Sequence, residues 1–265
     1  MNHEASPVET MGLDASSTED VLLELKGIVK RFGALVALNS ASFSVRRGEV
    51  MALVGDNGAG KSTLIKTISG AYDPDNGSII LRGLPVRFRS PKDAWTQGIA
   101  TIYQELALAG KMSVTDNVFL GREMRRPFLG IPFLDKVAMR NVTKRLLERI
   151  DVKVPSVEVW AETLSGGQRQ GVAIARALNM DADLIVMDEP TAALAVVEVG
   201  KVLDSIRKLR LQGKSVILIS HNIQDVFAVA DRICVMRHGR CVAVRSVEET
   251  TSQEIIALIT GAIPM

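Results

Sequence analysis

Three observations predict an α/β fold built on a mostly parallel, two-sided sheet. Short apolar runs alternate with helical stretches through the second half of the chain. One such run, Val50–Val54, leads straight into a glycine-rich loop. A long stretch of helical character then separates that loop from the later alternation. Strands alternating with helices need crossover connections, which place helices on both faces of a parallel sheet. A helical stretch inserted into such a sheet predicts a second lobe.

The elements follow in order. Residues 22–45 are strand-like and end at a turn, Arg46-Arg47-Gly48. Val50–Val54 is a short buried strand, and a helix over Lys61–Ser69 starts on the loop that follows it. Ser78–Leu81 and Val86–Phe88 read as further strands. Ser90-Pro91 is a helix start, because serine caps and proline fits the first helical position. Ile99–Tyr103 is another strand. From about Glu105 to Ala177 the chain reads as helical; Met139, Val142, Leu146, Leu147 and Ile150 fall on one face at helical spacing. Alternation then returns with strand Leu184–Met187, helix Val197–Leu211, strand Val216–Ile219, helix Asn222–Ala230 and strand Ile233–Met236, with Gly213 as a helix stop.

The chain has 265 residues, 47% of them hydrophobic, which suits one large domain or a core with a smaller lobe. No apolar run approaches the ~20 residues that span a bilayer, so any transport role requires a separate membrane partner. A net charge of +2 gives no reason to expect nucleic acid as a partner. Residues 1–20 carry Glu4, Glu9, Asp14, Glu19 and Asp20 with no Lys or Arg, and are expected to be a disordered acidic tail. They lack the basic start and apolar middle of a signal peptide. Cys234 and Cys241 flank a turn at His238-Gly239 and read as small buried hydrophobes without metal-site spacing, which fits a reducing cytoplasm. His3 and His238, in the tail and the turn, carry no functional expectation.

Two segments carry chemistry directly. In Gly55-Asp56-Asn57-Gly58-Ala59-Gly60-Lys61-Ser62, glycines let the backbone bring N–H groups up to phosphate oxygens, and the helix starting at Lys61 adds its positive end. Lys61 can reach the β- and γ-phosphates, and the Ser62 hydroxyl can bind Mg²⁺; Thr63 is expected at the α-phosphate. Asp188-Glu189 closes the strand Leu184–Met187, at the end where open α/β sheets bind ligands. Asp188 is expected to hold Mg²⁺, directly or through water, and Glu189 to polarise the attacking water as general base. A third segment, Leu164-Ser165-Gly166-Gly167-Gln168, forms another capped, glycine-opened helix start suited to phosphate. By average residue usage it arises by chance on the order of once in a thousand such chains.

This ordered trio resembles the ATP-binding subunit of an ABC (ATP-binding cassette) transporter, over nearly the whole chain from about Leu22. The resemblance implies a P-loop NTPase (RecA-like) core over about 21–104 and 178–265, an N-terminal antiparallel β region, and an inserted α-helical subdomain over about 105–177. It implies a head-to-tail homodimer, in which the phosphate loop of one subunit and the signature Ser165–Gln168 of the other sandwich each ATP. It further implies that Gln104 touches Mg²⁺ or the water, that His221 is a switch contacting γ-phosphate, and that Phe32 stacks on adenine. Tyr103-Gln104-Glu105-Leu106, the segment Ser113–Glu123, Asp188–Leu194 and Ile259-Thr260-Gly261-Ala262 look like bacterial simple-sugar importers. The partners so implied are transmembrane permease subunits and, indirectly, a periplasmic sugar-binding protein, with this chain on the cytoplasmic face of the inner membrane. One departure stands out. Cassettes commonly read Ser-Ala-Leu-Asp after the carboxylate pair, and this chain reads Ala192-Ala193-Leu194-Ala195. An Asp-mediated contact across the dimer is therefore not carried over. The alternatives are an importer cassette for another small solute, a non-transport cassette ATPase, and a nucleotide-binding regulator without turnover.

Overall fold

The computed structural model describes residues 20–128 and 131–263. The expected acidic tail, with His3, therefore lies outside the described residues, except for Asp20, whose carbonyl accepts from the Arg47 N–H at 2.8 Å.

Six strands make the main sheet: β3 (Val50–Val54), β6 (Ile99–Ile102), β9 (Leu184–Asp188), β10 (Ser215–Ile219), β11 (Arg232–Arg237) and β12 (Arg240–Ser246). Their order is β12-β11-β3-β10-β9-β6, and every pairing is parallel except that of β12. The continuous apolar runs follow from burial on both faces. Val50, Ile185, Met187, Val216 and Leu218 pack on one side, against α5 (Gly166–Asn179) and α6 (Val196–Leu211). Met51, Leu53, Val186, Ile217 and Ile219 pack on the other, against α1 (Lys61–Ile68) and a second sheet. That second sheet is antiparallel, in the order β2-β1-β4-β5, from β1 (Val21–Phe32), β2 (Leu35–Arg46), β4 (Asn76–Leu81) and β5 (Leu84–Val86).

The segment expected to be helical contains α3 (Val114–Phe119), α4 (Lys136–Arg149) and α5, but also a hairpin of β7 (Arg125–Phe128) and β8 (Ile131–Leu134). Pro127 faces Pro132 across it. A two-stranded ribbon has only edges, so prolines that would break a central strand are tolerated there. The strand expected at Val86–Phe88 begins two residues earlier. Arg82 and Gly83 both have positive φ and turn the chain immediately, pairing Leu81 with Leu84. Ser90 caps α2 (Pro91–Thr96) as expected, accepting from the Asp93 N–H at 3.3 Å. The chain continues through α7 (Ile223–Val229) and ends with α8 (Ser252–Thr260), which the sequence reading did not assign.

Candidate functional site

Four neighbouring strands deliver the site at their carboxyl ends. β3 runs into the phosphate loop, β10 into Ser220-His221, β9 into Asp188-Glu189, and β6 into Tyr103-Gln104. The cleft they frame has a volume of about 380 Å³ and is lined by Asn57 to Thr63, Gln104, Asp188 and Glu189, with Leu35 to Ala37 as a wall.

The phosphate loop needs glycine at two places in particular. Gly55 has φ +150°, and a Cβ there would lie 2.2 Å from the Met236 carbonyl oxygen. Gly60, the N-cap of α1, has φ +103°, and its Cβ would lie 2.8 Å from the Ala37 carbonyl oxygen. Both contacts are with backbone, so no side-chain adjustment relieves them. Lys61 Nζ donates to the carbonyls of Gly55 at 2.6 Å and Asp56 at 3.0 Å. Burial pushes the Lys61 ammonium below its ordinary pKa, against the pull of Glu189, Asp56 and Asp188.

Burial raises the Asp188 carboxyl, Glu189 beside it adds to the effect, and Lys61 and Lys66 oppose it. Glu189 sits in the left-handed region at φ +52°, an uncommon conformation for a non-glycine residue, kept where surrounding structure enforces it. Its N–H donates to the Ile219 carbonyl at 3.0 Å, tying the end of β9 to β10. Glu189 Oε2 meets His221 Nδ1 at 2.7 Å and accepts from the His221 N–H at 3.4 Å. The base and switch candidates therefore form one unit, with the His221 side chain exposed. Thr191 Oγ1 bonds Asp225 Oδ2 at 2.7 Å, fastening the segment after Glu189 to α7.

Phe32 lies at the end of β1, 42% exposed, edge-on to Tyr72 with ring centroids 5.2 Å apart, and Lys30 Nζ is 5.7 Å from its centroid. It does not line the phosphate cleft, from whose first wall residue, Leu35, the Gly33-Ala34 turn separates it along the chain. Tyr72 was not anticipated, since a single tyrosine after a helix carries no sequence signal.

Ser165 caps α5 in a reciprocal box. Its hydroxyl accepts from the Gln168 N–H at 3.3 Å, and the Gln168 side chain accepts from the Ser165 N–H at 3.0 Å. Ser165, Gly167 and Gln168 line a separate hollow that shares no residue with the phosphate cleft. The two helix starts expected to bind phosphate thus open onto different places. Glu198 was also missed: its carboxylate accepts from the Gly167 N–H at 3.3 Å. The Ser165 hydroxyl and that N–H hold the Glu198 carboxyl below its usual range.

Ser62, Gln104 and Asp188 bring hydroxyl, amide and carboxylate oxygens to one cleft. Such an all-oxygen set fits a hard divalent cation that keeps part of its water shell.

Comparison with known proteins agrees with this geometry. The family described as ABC transporter matches residues 38–192. The fructose import ATP-binding protein FrcA of Rhizobium meliloti is 46% identical over 248 residues, covering 92% of this chain and 95% of that protein. The xylose/arabinose import ATP-binding protein XylG of Sulfolobus acidocaldarius is 47% identical over 240 residues, covering 91% and 94%. Among solved structures, a nucleotide-free ATP-binding cassette from an ABC transporter superposes with a TM-score of 0.78 at 28% identity, covering 92% of this chain and 96% of that one. With the fold, the phosphate cleft and these relatives in agreement, the chain belongs to the ABC transporter family as one of its ATP-binding cassettes.

Proposed function

We propose that this cassette is the ATP-hydrolysing, energy-coupling subunit of a simple-sugar importer. Two copies close head to tail on two Mg·ATP and drive separate transmembrane permease subunits from the cytoplasmic face of the membrane, with a sugar-binding protein supplying solute on the far side. The observation that carries the reading is the convergence of Lys61, Ser62, Gln104, Asp188 and Glu189 on one cleft, with His221 bonded to Glu189. The assignment to sugar rests on relatives named for fructose and xylose/arabinose import.

Each residue has a role in this reading. The loop Gly55–Lys61 wraps the phosphates with backbone N–H groups, and Lys61 exchanges its loop carbonyls for phosphate oxygens. Ser62, Gln104 and Asp188 would hold Mg²⁺, which when bound neutralises charge on the phosphates. Glu189 accepts a proton from the attacking water, and His221 orients the Glu189 carboxylate and reaches toward γ-phosphate. Phe32 takes the adenine. Ser165–Gln168 of the second copy completes the pocket, which explains why the signature and the phosphate loop of one chain face different hollows. The division into a core over 21–104 and 178–265 and an inserted lobe over 105–177 belongs to the same proposal. No helix among the described residues is long and apolar enough to cross a membrane, so a permease partner is part of the reading.

The test is Glu189→Gln. It keeps ATP binding, stabilises an ATP-bound dimer on size exclusion, and lowers turnover by about 10²-fold or more, the range for a lost general base. Unchanged hydrolysis would refute Glu189 as base. Recovery of a polytopic permease when the native protein is pulled from its own membranes in mild detergent supports transport. Recovery of only soluble partners would remove the transport claim and leave the ATPase.

A further inference from the structure

The only two cysteines of the chain, Cys234 and Cys241, are side by side. Cys234 lies on β11 and is fully buried in the core beside Met51 and Leu53. Cys241 lies on β12 and is half-buried. Register explains the meeting. Cys241 is paired with Met236, and Met236 shares a face of β11 with Cys234, two residues away. An irregularity between Val235 and Met236 shifts the pairing, and the two sulfurs stand 2.6 Å apart. A disulfide is about 2.05 Å long. The nucleotide chemistry uses neither thiol.

The two thiols are also unequal. The contact with Cys241 and burial push the Cys234 thiol far up. Cys241 is the more accessible sulfur, and Cys234 the sheltered one. This is the division between an attacking and a resolving cysteine.

We propose that Cys241 and Cys234 form a thiol-modification site: Cys241 reacts with low-molecular-weight disulfides, and Cys234 resolves the adduct into an intramolecular disulfide between β11 and β12. In the first step the Cys241 thiolate attacks one sulfur of the reagent, whose S–S bond breaks and releases one thiolate. In the second, Cys234 gives up its proton, attacks Cys241 Sγ and expels the second thiolate. Both protein thiols are oxidised by two electrons in total, the reagent is reduced to two thiols, and those take up the two protein protons. The site lies next to the nucleotide cleft. The His238-Gly239 turn joining the two strands donates from Gly239 N–H to the carbonyl of the phosphate-loop residue Ala59 at 3.0 Å, and its Gly239 carbonyl accepts from the Asn39 N–H at 2.8 Å.

The experiment treats the folded full-length protein with oxidised glutathione and follows intact mass. The wild type is expected to lose two hydrogens, carry no glutathione at completion, and run as a monomer on a non-reducing gel. Cys234→Ser is expected to stop at a single glutathione adduct on Cys241. Cys241→Ser, which changes the less buried residue and so keeps the core, is expected to stay unmodified while folded. Persistence of a glutathione adduct on the wild type, formation of covalent dimers, modification of folded Cys241→Ser, or no reaction of the wild type would each overturn the proposal.

Discussion

Asn117 gives the sharpest stability prediction. It is fully buried on α3, in the segment between Gln104 and the hairpin, and its side chain makes four hydrogen bonds. Oδ1 accepts from the Ala109 N–H at 2.8 Å; Nδ2 donates to the carbonyls of Ala109 at 3.0 Å, Met112 at 3.2 Å and Ser113 at 3.0 Å. Replacing it with Ala does not orphan everything it touches. The three carbonyls keep other donors, the N–H groups of Met112, Ala161 and Asn117 itself. Only the Ala109 N–H loses the sole partner found for it, at a cost of about 1–3 kcal/mol, and the carbonyls lose a second bond of less worth. The sum is about 3 kcal/mol. In a chain of this size each kcal/mol moves Tm by about 2–4 °C, so Asn117→Ala should melt about 6–12 °C lower by circular dichroism. Asn117→Asp should be worse at neutral pH, because an ionised carboxylate faces three carbonyls and has no proton to donate. A fall of less than about 2 °C for Ala, or an Asp variant as stable as the wild type, would refute this accounting.

Three further outcomes follow. Lys61→Ala should raise the Kd for ATP at least about tenfold, since one charge-assisted contact to phosphate is worth about 1.5–3 kcal/mol; normal binding in a fluorescent-nucleotide titration would remove the phosphate-loop assignment. Asp188→Asn should abolish turnover yet melt higher than the wild type at pH 7. Folding raises the Asp188 pKa, so its ionised form costs stability once pH exceeds the unfolded value near 4; the gain of the variant should shrink as pH falls through the raised native pKa, where the native carboxyl takes its proton, and should be gone below about 4. Gly171→Ala should cost about 1–3 kcal/mol, because a Cβ would lie 2.5 and 2.6 Å from the two Cγ atoms of β-branched Val152, and a melting temperature equal to wild type would show that the 152–154 segment gives way.

Much of the fold was legible because the central strands are buried on both faces. Val50–Val54 and Leu184–Met187 have no polar residue to confuse them with surface strands. Ser165 was legible as a cap because it carries its own oxygen and its glutamine partner three residues on. The hairpin Arg125–Leu134 was not, because its apolar run follows neither period and its prolines argue against strands. The Phe32–Tyr72 contact spans forty residues of sequence, and its geometry exists only after β1 and α1 pack. Glu198 was hidden for a definite reason. A glutamate three residues into a helix is recognised by the Ser or Thr at the cap, and here the cap is Ala195.

That same pair bears on the departure noted in the sequence. Ala195 supplies no side-chain cap to α6, so the missing acid removes a carboxylate from the helix start. Glu198 supplies one from the first turn itself. Its carboxylate is held below the usual range by the Ser165 hydroxyl and the Gly167 N–H, and also by the backbone of Ala195. One charge therefore serves the positive ends of two helices, α5 and α6, that start side by side. A residue with no carboxylate at 195 leaves α6 without its own anion only if 198 is read alone as a surface glutamate. In three dimensions the Glu198 carboxylate, three residues along the chain from 195, lies beside the Gly167 N–H of the signature. Any anion that approaches the Gly167 N–H must contend with that carboxylate first, so the substitution at 195 and the electrostatics of the signature are one question, not two.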